Sequence, residues 1–97
     1  MASLKLRWTL PAFKQLREAR LYVEAENPHA ARMLGKRIED GMQRLTLFPE
    51  MGRVGRRAGT RELVIPSTPL IVTYRITADT VEVLSVIHGA RRWPERL

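Results

Sequence analysis

Hydrophobic and polar positions change their period along this chain, and each change marks an element. Leu4, Leu6 and Trp8 alternate with Lys5 and Arg7, the period-two pattern of a short half-buried strand over residues 3–8. From Leu10 the period lengthens. Phe13, Leu16, Ala19 and Val23 recur at helical spacing, with Lys14, Arg17, Glu18, Glu24 and Glu26 on the other side. Thr9 stands where an N-cap belongs and Pro11 fits the first turn, which predicts a helix over 10–26. Asn27 and Pro28 then restart the pattern as cap and first helical residue. Ala31, Leu34, Ile38, Met42 and Leu45 form one apolar stripe, and the second helix runs over 28–47 until Pro49 ends it. So short a break predicts an antiparallel helical hairpin. Gly35 and Gly41 each weaken the second helix by roughly 1 kcal/mol relative to alanine. They are expected to let it approach the first helix closely.

A basic loop follows over 50–60, "EMGRVGRRAGT", and then three runs that read as strands over 61–66, 70–76 and 81–88. The last two runs allow a register to be worked out about the "TADT" turn. Ile76 opposite Val81 places Tyr74 against Val83, Val72 against Ser85 and Leu70 against Ile87 on the core face. The other face pairs Arg75 with Glu82, Thr73 with Leu84 and Ile71 with Val86, and parity puts His88 there too. A tight "ST" turn would place Arg61 on the core face beside Tyr74. The expected fold is a single α+β domain: an N-terminal strand, then an antiparallel helical hairpin packed on an antiparallel β-sheet.

Charge changes what this small domain is expected to meet. The 97 residues carry a formal charge of +7 and a pI of about 11.0. Such a field favours polyanions or an acidic protein partner. Arginine outnumbers lysine, which suits planar recognition of phosphate or carboxylate. The chain has no cysteine, which excludes disulfides and thiolate chemistry. No signal-peptide run or membrane span stands out, so a cytoplasmic protein without membrane attachment is expected.

Candidate chemistry is sparse. No nucleophile elbow or phosphate-cradling glycine loop occurs, and no metal-ligand spacing accompanies His88, so neither a metal nor another cofactor is expected. Three groups stand out. His88 ends the last strand and can exchange a proton near neutral pH, or serve as a hydrogen-bonded structural histidine. Arg53, Arg56, Arg57 and Arg61 cluster within nine residues, either as a solvated loop or as a concentrated positive field. The tail over 89–97 joins Arg91 and Arg92 to Trp93, which suits phosphate and base contact, or lets Trp93 fold back on the core.

The order of elements, together with "LFPEMGR", "GTRELVIP", "LIVTYRI" and "VEVLSVIHGARRWP", resembles the RelE/ParE superfamily, the toxins of type II toxin–antitoxin systems, also known as plasmid-stabilisation proteins. The resemblance spans nearly the whole chain and implies a small acidic or amphipathic antitoxin as partner, in a toxin–antitoxin hetero-oligomer. It implies one of two targets. ParE-like members poison DNA gyrase. RelE-like members cut messenger RNA on the ribosome. "TRELVIP" and "VIHGARRWP" look closer to the ParE side, and the strands lack the lysines of the RelE-like catalytic set. A gyrase-binding toxin would use Arg91, Arg92 and Trp93, helped by Arg53, Arg56 and Arg57. A ribonuclease would use His88 as acid or base, with Arg61 and Arg91 stabilising phosphate. A third reading is a non-toxic basic module that binds nucleic acid.

Overall fold

The computed structural model describes residues 3–88. Its elements are β1 (Lys5–Trp8), α1 (Leu10–Glu26), α2 (Pro28–Leu47), β2 (Arg53–Val54), β3 (Arg61–Val64), β4 (Leu70–Thr77) and β5 (Thr80–His88). The strands form one sheet in the order β1-β5-β4-β3-β2. Two features depart from the expected sheet. β1 runs parallel to β5, so the sheet is mixed rather than wholly antiparallel. The expected loop over 50–60 also contains β2, which pairs Arg53 with Glu62 and Val54 with Arg61.

One residue both separates and caps the helices. The backbone N–H of Asn27 donates to the Val23 carbonyl at 2.7 Å, and its side-chain oxygen accepts from the Ala30 N–H at 3.1 Å. Asn27 therefore satisfies orphaned groups at the end of α1 and the start of α2. The stripe on α2 is buried as its spacing predicts: Ala31, Leu34, Ile38, Met42 and Leu45 all lie in the core. Gly41 does admit a close approach, but to the sheet. A Cβ there would lie 3.1 Å from the Ile65 side chain, and nothing stands within 4 Å of one at Gly35.

On α1 the buried positions are Ala12, Ala19 and Val23, with Leu16 partly buried. Phe13, expected inside, is 57 % exposed. Rotation of α1 is set at its start by Thr9, whose N–H and hydroxyl both donate to the Val83 carbonyl, at 3.1 and 2.8 Å. Small Ala12 then faces the core and the Phe13 ring is carried outward. Leu6 is also more exposed than its alternation predicts, while Leu4 and Trp8 pack on the core.

The β4–β5 register agrees with expectation near the turn, where Ile76, Arg75 and Tyr74 oppose Val81, Glu82 and Val83. It then shifts. Thr73 opposes Ser85, Val72 opposes Val86, Ile71 opposes Ile87 and Leu70 opposes His88, leaving Leu84 as the extra residue of a bulge. The expected pairs Val72–Ser85, Thr73–Leu84, Ile71–Val86 and Leu70–Ile87 do not form. Beyond the bulge the faces exchange. Val86 and His88 turn toward the helices and are buried, and Ile87 turns away. Groups freed along this edge of β5 are met by α1 and its cap. Gln15 accepts the Val86 N–H at 2.8 Å, and the Thr9 hydroxyl lies 3.5 Å from the Leu84 carbonyl.

Thr9 thus joins helix start, bulge and sheet through one hydroxyl. Replacing it with alanine should cost about 1–2 kcal/mol and lower the thermal midpoint by roughly 5–10 °C. Thr9→Ser should retain most of the stability in the same melting experiment.

Candidate functional site

The sheet face away from the helices bears a row of alternating charge. Across the strand order stand Arg7, Glu82, Arg75, Glu62 and Arg53, one on each strand. Glu82 is only 4 % exposed and is ion-paired with both Arg7 and Arg75. Arg53 pairs with Glu62 at 3.1 Å. The Arg75–Glu82 pair is the one expected from the register, whereas the Arg7–Glu82 pair depends on the parallel placement of β1. A carboxylate this buried is tolerable only with opposite charge beside it. Among the described residues, the three arginines of this row are therefore already committed to carboxylates.

One end of the sheet anchors the chain that leaves α2. Tyr74 is fully buried on β4, and its hydroxyl donates to the Pro49 carbonyl at 2.7 Å while accepting the Gly52 N–H at 3.0 Å. A Cβ at Gly52 would fall 2.6 Å from that hydroxyl, so glycine is required for the approach. Arg61 lies opposite Tyr74, as a tight turn predicts, and donates to the carbonyls of Glu50 at 3.2 Å and Gly52 at 2.8 Å. Its guanidinium is used to hold the loop. Burial pushes the Tyr74 phenol above its ordinary range, outweighing the downward pull of the Gly52 N–H and the Arg61 charge.

A second surface lies on the helices. Phe13, Leu16, Arg17, Arg20, Leu21 and Glu24 of α1, with Ala31 and Arg32 of α2, line a groove of about 460 Å³. Its lining joins apolar Phe13, Leu16, Leu21 and Ala31 to three arginines and one glutamate. The sequence pattern held the signal for this surface. Phe13 and Leu21 are large apolar side chains of α1 that the core does not bury, and both are exposed in the groove.

The residues singled out in the sequence are scattered. His88 is on the helix-covered face, 9 % exposed, its ring edge-on to Tyr22 with centroids 4.8 Å apart. It is not on the opposite face as strand parity predicts, because the bulge at Leu84 reverses that parity. Arg61 is a loop brace at the other end of the sheet. Arg53 is held by Glu62, and Arg56 and Arg57 are exposed in the β2–β3 turn. Arg91, Arg92 and Trp93 lie outside the described residues. Among the described residues, His88 and Arg61 are not brought together.

Comparison with known proteins gives this arrangement a context. Residues 6–93 match the sequence profile described as the ParE toxin of type II toxin-antitoxin system, parDE. A protein of Sinorhizobium fredii named "Putative toxin Y4kP" is 41 % identical over 97 residues, covering all of both chains. Among solved structures, a chain of the chromosomal ParDE toxin–antitoxin system from P. aeruginosa superposes with a TM-score of 0.78. That match is 19 % identical and covers 89 % of this chain and 96 % of that one. A chain of the toxin–antitoxin complex RelBE2 from Mycobacterium tuberculosis gives a TM-score of 0.62 at 22 % identity, covering 91 % and 93 %. These two share the fold of this chain.

Tyr74 offers a direct check of the loop anchor. Tyr74→Phe should cost about 1–3 kcal/mol, since it leaves the Gly52 N–H and Pro49 carbonyl without their shared partner. The raised phenol also sets the sign of a pH effect. Folding favours the protonated form, so its contribution is complete below about pH 10 and is lost as pH rises above that. Denaturant titrations across this range should show wild-type stability falling more steeply than that of Tyr74→Phe.

Proposed function

This chain belongs to the ParE toxin family of type II toxin–antitoxin systems, and from that membership we propose that it inhibits DNA gyrase and is neutralised by a cognate antitoxin. It acts in the cytoplasm, where gyrase works. The observation that carries the gyrase reading is the neutralised sheet face. Cleavage of RNA by side chains of this face would need cations free to offset phosphate charge. Here Arg7, Arg75 and Arg53 already face Glu82 and Glu62. The rest of a ribonuclease set is poorly placed as well, with His88 buried under α1 and Arg61 turned to backbone carbonyls. Contact with gyrase falls instead to the tail residues Arg91, Arg92 and Trp93, and Arg56 and Arg57 are left to help by meeting the DNA that gyrase holds.

The antitoxin seat is the groove between α1 and α2. An amphipathic helix laid there would place apolar side chains on Phe13, Leu16 and Leu21, and acidic ones beside Arg17, Arg20 and Arg32. The solved relatives are described as toxin–antitoxin assemblies, which supports such a partner for this chain.

Induction of the toxin alone should arrest DNA synthesis before protein synthesis, with transcripts intact and supercoiling inhibited in vitro. Early arrest of protein synthesis with cleaved transcripts would replace this reading by the ribonuclease one. Absence of any growth effect would point to a nucleic-acid-binding module. The groove can be tested separately. Phe13→Glu should weaken antitoxin binding by at least tenfold in calorimetry while leaving the thermal midpoint of this exposed site nearly unchanged.

A further inference from the structure

Four arginines fall between residues 53 and 61, and the structure sorts them into two pairs with different work. Arg53 is held by Glu62, and Arg61 by the carbonyls of Glu50 and Gly52. These two shape the β2–β3 hairpin. Arg56 and Arg57 lie in its turn, both exposed, and neither enters an ion pair among the described residues.

The backbone beneath them is closed tightly. The Gly55 N–H donates to the Thr60 carbonyl at 2.8 Å. The Thr60 N–H and hydroxyl both donate to the Arg57 carbonyl, at 3.2 and 2.7 Å, and Thr60 itself is buried. Two adjacent guanidinia are thus presented on a braced projection, so little backbone freedom remains to be lost on binding.

The chemistry of the turn narrows the partner. Residues 55–59 read Gly-Arg-Arg-Ala-Gly, and beside them on β2 stands a single valine, Val54, 79 % exposed. Protein hot spots are built on tryptophan, tyrosine and arginine around a desolvated centre, with valine under-represented, and the turn has no aromatic residue to form such a centre. A single strand would need a ring on which to stack its bases. Charge and planar donors alone suit the regular phosphate backbone of a duplex.

We propose that Arg56 and Arg57 grip the phosphate backbone of duplex DNA without reading its sequence, while Arg53 and Arg61 hold the hairpin in shape. That the duplex is DNA rather than RNA rests on the gyrase reading.

The test is fluorescence anisotropy of the full chain on a short labelled DNA duplex, from roughly 50 to 200 mM salt. Two phosphate contacts contribute about 1.8 to the slope of log affinity against log salt, an attenuation of about twelvefold across that range. R56Q/R57Q should lose this much slope, and R56K/R57K should keep it. K14Q/K36Q removes the same charge from exposed helix positions and should change the slope far less. Equal slopes for R56Q/R57Q and K14Q/K36Q would overturn the proposal, and so would a R56K/R57K slope as low as that of R56Q/R57Q. Tighter binding to an RNA duplex of the same sequence would overturn the choice of DNA. Melting curves of each variant identify any change that comes from unfolding, and the lysine pair then decides the result. Supercoiling assays on the same proteins separate the two readings. Wild-type protein that shows the slope difference yet never inhibits gyrase removes the gyrase reading and leaves the phosphate contact standing.

Discussion

The buried carboxylate of Glu82 is the constraint around which the sheet is arranged. It lies on β5, the strand that carries β1 on one side and β4 on the other. Arg7 reaches it from the parallel neighbour and Arg75 from the antiparallel one. A charge at this depth would be very costly alone, and removing one partner of such a pair destabilises far more than the pair contributes. A slip of either flanking strand by one residue would move its arginine to the helix-covered face and leave Glu82 exposed to that penalty. Glu82 therefore fixes two registers at once. The same arrangement spends the positive charge of that face, so the surplus of the molecule is available elsewhere: on the helix groove and at the hairpin turn.

The two ends of the sheet are finished by different means. Toward Pro49, a phenol and a guanidinium hold a stretch of loop by its backbone, and the β2–β3 hairpin projects from that anchor. Toward His88, the chain bulges at Leu84 and helix α1 meets the backbone groups of β5 through Thr9 and Gln15. The first device supports a binding projection. The second settles which residues of the last strand are hidden, and it hides the one histidine that would draw attention as a proton carrier.

Much of this was legible in the sequence where a local rule governed. Helix bounds followed from Thr9, Asn27, Pro28 and Pro49, and the α2 stripe from spacing alone. The turn-proximal register followed from placing Ile76 opposite Val81 about the "TADT" turn, which brought Arg75 opposite Glu82. The bulge was not legible, since Leu84 and Ser85 carry no glycine or proline signal and the cause is a tertiary contact with α1. A parity argument fails beyond any such point, and the side assigned to His88 failed with it. Phe13 was misplaced for a related reason. Its spacing fits the inner face, but the rotation of α1 is set by Thr9 bonding to a residue 74 positions away. The charge row was half visible. The Arg75–Glu82 pair is antiparallel and local, whereas Arg7 joins only through a parallel pairing that periodicity does not announce.

The shared cap at Asn27 has a mechanical consequence. With no linker of their own, the two helices are tied to each other at Asn27. Their other ends are tied as well, α1 through Thr9 to the Val83 carbonyl and α2 through the Thr46 carbonyl, which accepts the Leu4 N–H at 2.8 Å. The groove between them is therefore held at both mouths, and an occupant has to fit its width rather than set it.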